Sequence, residues 1–192
     1  MQTLNYQNLI KSELKEHYET INLLNSTVPE IENFSKLIIN TLKRNNKLII
    51  CGNGGSAADA QHFSSELIGK YEKLRKSLPA ISLSTDCSAL TAIGNDYGFD
   101  EVFSREFDAI AHENDILIAI STSGNSRNIL KLIQKSISKG IEFFIFTGAT
   151  GGKLSNHTEN SILVPSNETA IIQQCHILLG HVVCLNSELE YL

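Results

Sequence analysis

Two polar segments of this chain each follow a short apolar run and lead into a helical pattern. The first comprises Asn53, Gly54, Gly55 and Ser56, and the second comprises Ser121, Thr122, Ser123 and Ser126. Glycine permits close backbone approach, a helix N-terminus presents free N–H groups, and hydroxyls hydrogen-bond to phosphate oxygens. Either segment alone could be a tight turn or a helix cap, but the pair predicts a phosphate site. Neither is followed by the lysine of a Gly-Lys-Ser/Thr motif, which argues against a P-loop nucleotide hydrolase.

Four further polar residues lie on two helical patterns that are far apart in the sequence. His62 and Glu66 are four residues apart and therefore share one helix face. Gln173 and His181 are eight apart, about 80° around a helix axis, so both can point towards one site. Unpaired polar groups on a buried helix cost about 1–3 kcal/mol each, so these residues need partners. One histidine in such a setting is usually a core residue, but the combination predicts a functional site.

The first segment also permits a different interpretation. Gly52, Gly54 and Ala57 fit the G-x-G-x-x-A pattern, and Asp86 follows the second apolar run, which together mimic a dinucleotide-binding fingerprint. A nicotinamide enzyme would leave the Ser/Thr-rich segment without a role. The phosphate site therefore remains the favoured interpretation.

Five apolar runs alternate with helical patterns after residue 46 and must position these side chains. The runs are Lys47–Cys51, Ala80–Ser84, Ile116–Ile120, Phe143–Thr147 and Ser161–Val164, and the helical patterns are Ser56–Gly69, Ser88–His112 in two pieces, Ser126–Lys139 and Thr169 to the end. Near-continuous apolar runs are typical of strands buried on both faces. We therefore predict an α/β fold with a doubly wound five-stranded parallel sheet flanked by helices. Ligands bind such sheets beyond the carboxyl ends of the strands.

The first 45 residues predict an N-terminal extension of two helices. Apolar residues recur there at three- and four-residue steps, at Leu4, Leu9, Ile10, Leu14, Tyr18, Ile21 and Leu24. Pro29 suits the first turn of the second helix. We expect the two apolar faces to cover both the domain itself and a neighbouring subunit. Residues 1–192 are predicted to form a single domain, with helices in 1–45 and an α/β sandwich in 46–192.

Composition excludes several classes of protein. The 192 residues include 16 Lys+Arg and 21 Asp+Glu, a net charge of −5 without basic clusters, so we expect no nucleic-acid partner. Hydrophobic residues make up 42%, enough for a folded core. No apolar run approaches the roughly 20 residues that cross a bilayer, so we expect no membrane partner. The polar N-terminus and four cysteines without C-x-x-C spacing predict a cytoplasmic protein with free thiols.

At the two polar segments the sequence resembles the sugar isomerase (SIS) domain family, and within it the phosphoheptose isomerases. The matching stretches are CGNGGSAADAQHFSSELIGKY (51–71), LTAIGNDYGFDEVFSRE (90–106), DILIAISTSGNS (115–126), FTGATGGKLS (146–155) and IIQQCHILLGH (171–181). The resemblance covers nearly the whole chain and implies a homotetramer with active sites at subunit interfaces. It implies isomerisation of sedoheptulose 7-phosphate to D-glycero-D-manno-heptose 7-phosphate, the first step of bacterial heptose synthesis for lipopolysaccharide or capsule.

The resemblance also implies roles for individual residues. The substrate-binding positions are Asn53, Gly54, Gly55, Ser56, Asp96, Ser121, Thr122, Ser123, Ser126 and Gln173. The zinc-binding positions are His62, Glu66, Gln173 and His181, with one zinc per subunit, and Glu66 and His181 also match the family's base and acid. A carboxylate and an imidazole can move a proton through an enediol near neutral pH when their pKa values are tuned. Zinc would polarise the oxygens of the sugar.

The chain departs from the family at two places. Lys70 stands where an arginine is usual, and Ile171-Ile172-Gln173-Gln174 replaces R-I-Q-E, so the detailed substrate is less certain than the reaction type. The alternative function is that of relatives that bind the replication initiator DnaA without catalysis. Those relatives lack the carboxylate and imidazole that this chain has at Glu66 and His181. Sugar-phosphate-sensing regulators usually add a DNA-binding module, for which the 45 helical residues leave no room.

Overall fold

The computed structural model describes residues 5–192. The five strands are β1 (Leu48–Gly52), β2 (Ala80–Ser82), β3 (Ile116–Ile120), β4 (Glu142–Gly148) and β5 (Ser161–Val164). The helices are α1 (Tyr6–Leu23), α2 (Val28–Lys43), α3 (Gly55–Ile68), α4 (Cys87–Tyr97), α5 (Val102–Ile110), α6 (Arg127–Lys139) and α7 (Thr169–Leu189). Short 3₁₀ turns lie at Leu24–Thr27, Phe99–Glu101 and Leu154–His157. Element bounds differ from the sequence predictions by at most two residues in the sheet.

All five strands are parallel and lie in the order β2-β1-β3-β4-β5. The chain leaves β1 towards β2 on one side and returns to β3 on the other, so the strand order reverses between β1 and β3. In the register, Gly52 at the end of β1 pairs with Ile120 at the end of β3. The two polar segments therefore leave the sheet side by side, at the switch point where open α/β sheets bind ligands. The predicted doubly wound sheet is confirmed.

Helices cover both faces of the sheet, and each face has its own apolar cluster. One cluster joins the sheet to α2, α3 and α7 through side chains such as Phe34, Phe63 and Val183. The other joins the sheet to α5 and α6 through side chains such as Phe107 and Leu132. Each of these side chains is almost fully buried, which stabilises the fold by about 1.5–3 kcal/mol apiece.

The two N-terminal helices differ in what they cover. The 3₁₀ turn at Leu24–Thr27 interrupts the helical pattern, and Pro29 lies in the first turn of α2, as predicted. α2 buries its apolar face on the sheet, whereas α1 buries only Thr20. Of the predicted α1 stripe, Leu9 to Ile21 are exposed and Leu24 is buried in the following turn, whereas Leu4 lies outside the described residues.

α7 is the longest helix of the part that the structure describes, and it runs along the α2–α3 side of the sheet. Among residues 5–192 it is the one helix whose length and mean hydropathy would suffice to cross a membrane. Its apolar side chains, including Ile171, Leu179 and Val183, belong to the core cluster on that face. A core helix of this length meets the same criteria.

Candidate active site

The structure brings His62, Glu66 and His181 into one cluster on the paired helices α3 and α7. His62 Nε2 lies 3.1 Å from Glu66 Oε1 and 3.2 Å from His181 Nε2. His62 and Glu66 are neighbours because they lie four residues apart on α3. The imidazole of His181 reaches them from α7, with its ring at 64° to that of His62 and the two ring centroids 5.0 Å apart.

Gly180 and Phe63 lie at the contact between α3 and α7. Gly180 of α7 faces the buried ring of Phe63 on α3, and a Cβ at Gly180 would already lie in van der Waals contact, 3.7 Å from that ring. The next residue along α7 is His181, and the residue before Phe63 is His62. This helix pair therefore sets the distance between the two imidazoles.

The cluster has the composition and size of a metal site. One donor atom from each of His62, Glu66 and His181 lies within 4.8 Å of the other two. Two imidazoles and a carboxylate are ligands that zinc takes in catalytic sites, with a further position left for water or substrate. Glu66 and His181 are half-buried and His62 is exposed, so the cluster is accessible from solvent. The residues present therefore fit a zinc ion.

Gln173, the fourth predicted ligand, lies against the start of α3. A Cβ built on Gly55 would be 2.5 Å from Gln173 Nε2, so the carboxamide occupies the space that the missing side chain of Gly55 leaves free. At 1.5 Å per residue, Gly55 precedes His62 by about 10 Å along α3. The structure thus brings Gln173 to the glycine-rich loop, and its role as a zinc ligand stays a prediction.

The two predicted phosphate-binding loops contact each other through side-chain amides. Asn53 and Asn128 exchange two hydrogen bonds of 2.9 Å, one from each Nδ2 to the other Oδ1. Asn53 lies in the loop after β1, whereas Asn128 lies in the first turn of α6, directly after the loop that follows β3. This reciprocal pair fixes the distance between the N-termini of α3 and α6. Both helix N-termini present backbone N–H groups to the space beyond the sheet.

The Ser/Thr-rich loop is shaped by glycines that pack backbone against backbone. Gly124 has a φ of 63°, and a Cβ there would lie 2.1 Å from the carbonyl oxygen of Gly151, in the loop after β4. Ser121 Oγ and Ser126 Oγ are 3.2 Å apart, and Ser123 Oγ accepts a hydrogen bond from the N–H of Asn125. Ser126 occupies the N-cap position directly before α6, which begins one residue later than the predicted helical pattern, but the hydroxyl of Ser126 contacts Ser121 and makes no capping bond.

The remaining predicted substrate-binding residues divide between the loops and a distant helix. Gly54 is the N-cap residue of α3, with a φ of 57°, and Ser56 is buried in the first turn of α3. Asp96 lies near the end of α4, exposed, and accepts a hydrogen bond from Asn95 Nδ2. α4 packs on α5, so within one subunit Asp96 is not part of the α3–α7 cluster.

Asp86, which suggested a dinucleotide site, caps a helix. Its Oδ1 accepts a hydrogen bond of 2.9 Å from the N–H of Ala89 at the start of α4. This contact is what an N-cap aspartate makes in any helix. The apparent fingerprint is therefore explained by local structure.

Asp59 is a second carboxyl group on α3, one turn before His62. Burial raises its pKa from 3.8 to about 6, and the neighbouring charge of His62 opposes that shift. One carboxylate oxygen of Asp59 is buried without a hydrogen-bond partner among the described residues. This carboxyl group is therefore poised to gain or lose a proton near neutral pH, beside the cluster.

Sequence reasoning missed three contacts that shape the site. The ring of Tyr71 stacks on the imidazole of His181, with centroids 5.4 Å apart and planes at 30°. Arg75 and Glu188 form a buried ion pair, and Glu188 also accepts a hydrogen bond from the backbone N–H of Tyr71. Asn128 holds Asn53, as described above. The stretch that carries the resemblance includes Tyr71, but only the packing of α7 on α3 reveals what its ring contacts.

The departures from the family pattern have different environments. Ile171, which stands where the family has arginine, is buried in the core cluster around α7 beside Ile172, so its side chain serves packing in this chain. Gln174, which stands where the family has glutamate, is exposed. Lys70 is exposed at the end of α3. Neither isoleucine is a member of the His62–Glu66–His181 cluster.

Comparison with known proteins places this chain in one family. The SIS domain family matches residues 13–148, and the chain belongs to that family. A phosphoheptose isomerase from Aliarcobacter butzleri is 48% identical over 185 residues, which cover 95% of this chain and 98% of that protein. A phosphoheptose isomerase from Campylobacter concisus is 48% identical over 180 residues, or 92% of this chain and 93% of that protein.

Solved structures agree with these relatives. Phosphoheptose isomerase from Neisseria gonorrhoeae superposes with a TM-score of 0.90 at 38% identity and covers 96% of this chain and 99% of its own. The enzyme from Francisella tularensis has a TM-score of 0.93 at 34% identity and covers 97% and 100%. Within the SIS domain family, the chain therefore falls with the phosphoheptose isomerases.

Proposed function

We propose that this chain is an aldose–ketose isomerase that converts sedoheptulose 7-phosphate to D-glycero-D-manno-heptose 7-phosphate. The observation that carries the proposal is that Glu66 and His181 both contact His62, at 3.1 and 3.2 Å. His62 and Glu66 lie on the helix that starts at the glycine-rich loop, and His181 reaches them from α7. The family membership and the names of the relatives support the same reaction. The reaction would begin the synthesis of heptose for a bacterial surface polysaccharide.

The length of α3 suits this substrate. Its N-terminus and the loop after β3 would bind the phosphate through Ser56, Ser121, Thr122, Ser123 and Ser126, with Asn53, Gly54, Gly55 and Gln173 beside them. An extended heptose places its phosphorus about eight bonds from C1, or about 10 Å at roughly 1.2 Å per bond. The rise of α3 from Gly55 to His62 is also about 10 Å. A phosphate at the loops would therefore bring C1 and C2 to the His/Glu cluster.

The proton transfers need one base and one group that serves the oxygens. The Glu66 carboxylate takes a proton from C1 of the ketose, and the resulting double bond joins C1 to C2 in an enediol. His181 moves a proton from the oxygen on C1 to the oxygen on C2. Glu66 then returns its proton to C2, which leaves the aldehyde at C1. One C–H bond is broken and one is formed, so no external oxidant or reductant is needed.

The cofactor of this proposal is one zinc ion per subunit, which His62, Glu66 and His181 would hold, with Gln173 as the predicted fourth ligand. Glu66 and His181 serve as ligands and as base and acid at different steps, because a metal-bound carboxylate or imidazole is a poorer base or acid. When bound, zinc supplies a Lewis acid for the carbonyl and hydroxyl oxygens of the sugar. His62 is then a ligand that also orients the two reacting side chains. Removal of any one ligand would lower metal affinity and activity together.

The alternative function, binding of the replication initiator DnaA without catalysis, gains no support from the comparisons. The similar proteins reported above are named phosphoheptose isomerases. The cluster also gives the chain the acid, base and ligand types that a purely binding protein would not need.

The activity test uses purified protein, sedoheptulose 7-phosphate and an assay for the aldose. We expect aldose formation that stops after chelation and returns with added zinc. Calorimetric titration of zinc into metal-free protein is expected to give one ion per chain, and His62→Ala is expected to weaken binding at least about tenfold. His157→Ala, an exposed histidine outside the cluster, is the matched control. Aldose formation that persists after verified metal removal would exclude the zinc role.

The same proposal includes assembly as a homotetramer. Apolar side chains of α1 are 44–68% exposed, namely Leu9, Ile10, Leu14, Tyr18 and Ile21. A stripe of this size on one helix is typical of a subunit interface. A neighbouring subunit could also bring its Asp96, which is not a member of the cluster in its own chain, to the sugar. Light scattering is expected to give four times the chain mass of 21.2 kDa, and Leu14→Lys is expected to lower it.

Two further expectations belong with this function. We propose that the chain is one SIS domain, because α2 of the N-terminal extension shares a core cluster with the sheet and α7. We also propose a cytoplasmic location, supported by four free cysteines, three of them buried. Fractionation of the producing cells would test that location.

A further inference from the structure

We propose that Tyr71 is a positioning residue for His181, held in place by a buried clamp between Arg75 and Glu188. This inference rests on the proposed function, because it assigns Tyr71 a role that acts through His181. Tyr71 belongs to the loop between α3 and β2 (residues 69–79, called the α3–β2 loop). This loop has no strand or helix of its own, so specific contacts must fix its conformation.

The ring of His181 contacts two aromatic rings. It stacks on Tyr71, with centroids 5.4 Å apart and planes at 30°. It meets His62 edge-on, with centroids 5.0 Å apart. A histidine on a helix can rotate about two side-chain bonds, and a stacked neighbour restricts that rotation. Tyr71 therefore keeps Nε2 of His181 directed towards His62 and Glu66.

The carboxylate of Glu188 fixes the backbone on which Tyr71 lies. It accepts hydrogen bonds from the N–H groups of Tyr71, Glu72 and Lys73, at 3.2, 2.8 and 2.8 Å. Burial opposes the charge of Glu188, but these three donors and Arg75 outweigh it and hold the pKa of the carboxyl group below its usual value. Three consecutive backbone donors to one carboxylate fix both the position and the direction of the α3–β2 loop.

Arg75 extends this clamp to the end of α3. Its Nε lies 3.6 Å from Glu188 Oε1, and the two side chains are 1% and 0% exposed. Its guanidinium donates to the carbonyl oxygens of Glu66, at 2.6 Å, and Leu67, at 2.8 Å, where α3 ends. One buried ion pair thus ties the backbone that carries Glu66 to the helix that carries His181. The free carbonyls at the end of α3 are satisfied by the same contacts.

The test compares Tyr71→Ala with Tyr71→Phe, which keeps the ring and removes only the hydroxyl. Tyr71→Ala is expected to lower kcat about five- to tenfold with KM changed by less than about twofold, because an aromatic pair is lost while the phosphate loops stay intact. Zinc affinity is expected to fall about three- to tenfold in the same variant. Tyr71→Phe is expected to match the wild type in both. Tyr191→Ala, which removes another half-buried ring from the same core cluster, is the control.

The outcomes distinguish a failure of the Tyr71 proposal from a failure of the proposed isomerase activity. If Tyr71→Ala keeps wild-type kcat and zinc affinity, Tyr71 does not position His181. If Tyr71→Phe is as impaired as Tyr71→Ala, the hydroxyl acts and the stacking account is wrong. If the wild type does not isomerise sedoheptulose 7-phosphate, the proposed function fails, whereas the zinc titrations of the two variants still decide whether the ring holds His181.

Discussion

Nε2 of His181 lies 3.2 Å from Nε2 of His62, although the two residues are 119 positions apart in the chain. Two buried features of the fold produce this contact. The α3–α7 pairing at Phe63 and Gly180 sets the distance between the helices, and the Arg75–Glu188 ion pair joins their ends. The cluster therefore lies on rigid elements, whereas the phosphate would be bound by loops that the Asn53–Asn128 pair holds together.

Ser123 provides a test of the phosphate site. Its hydroxyl is exposed in the loop after β3, and a hydrogen bond to a charged group contributes about 1.5–3 kcal/mol. Ser123→Ala is therefore expected to raise KM for sedoheptulose 7-phosphate by about ten- to a hundredfold, with kcat little changed. Steady-state kinetics measure both constants. Ser138→Ala, in the last turn of α6 and far from the loop, is the control; equal KM values in the two variants would remove Ser123 from the site.

Gly55 tests the placement of Gln173. A methyl group at this position would meet the carboxamide at 2.5 Å and displace it, while the flexible end of the glutamine can move without disturbing the core. Gly55→Ala and Gln173→Ala are each expected to lower kcat/KM by about tenfold. The double variant is expected to be no worse than either, because both changes remove the same interaction. Effects that multiply would show that Gly55 acts independently of Gln173.

His176 predicts a pH-dependent stability. Burial lowers its pKa from 6.5 to about 4, although the carbonyl of Thr147, at 3.3 Å from Nε2, favours the charged ring. Between pH 6.5 and 4 the unfolded chain therefore binds a proton at His176 that the folded protein does not.

The free energy of unfolding is expected to fall by up to about 3 kcal/mol as the pH drops through this range, from this residue alone. His176→Gln keeps a donor for Thr147 and removes the titration. Urea unfolding at pH 7 and pH 4.5 measures the difference between the two proteins. Equal pH dependence in the wild type and the variant would show that His176 does not contribute.

Glu188 is expected to dominate the stability of the end of α7. Glu188→Ala leaves Arg75 buried without its ion-pair partner and frees three backbone donors, which costs about 3–5 kcal/mol. Glu190→Ala, two residues further on, removes an exposed carboxylate that pairs with Lys43 and is expected to cost less than about 1 kcal/mol. Urea unfolding of both variants gives the comparison. Similar losses in the two variants would contradict the clamp.

The sequence predicts the strands and helices of this protein well because the patterns that indicate them are local. Continuous apolar runs such as Ile116–Ile120 indicate strands that are buried on both faces, and Pro29 marks the start of α2. The carboxyl ends of parallel strands lie at one edge of the sheet, so the sequence alone predicts that the two polar loops are neighbours. The spacing of His62 and Glu66 likewise predicts a shared helix face.

The sequence does not predict how α3 and α7 are placed relative to each other. Gln173 and His181 are two helical turns apart, and which of them meets His62 depends on how the helices slide past one another. The structure pairs His181 with His62 and brings Gln173 to Gly55, because Gly180 lies opposite Phe63. The contact between Tyr71 and His181 was not predicted for the same reason. The position of a side chain in a loop depends on its tertiary contacts and cannot be read from the residues next to it in the sequence.

The central claim is that Glu66 and His181 move the protons of a sugar phosphate isomerisation. The direct measurement is the rate of aldose formation from sedoheptulose 7-phosphate by the wild type, Glu66→Gln and His181→Ala, each at a zinc concentration that saturates its own titration, with Glu30→Gln as the control. We expect turnover by the wild type and the control, and a loss of at least about a hundredfold in the other two variants, whose fold stays intact by circular dichroism. No aldose from the wild type, or wild-type rates in Glu66→Gln and His181→Ala, would contradict the account.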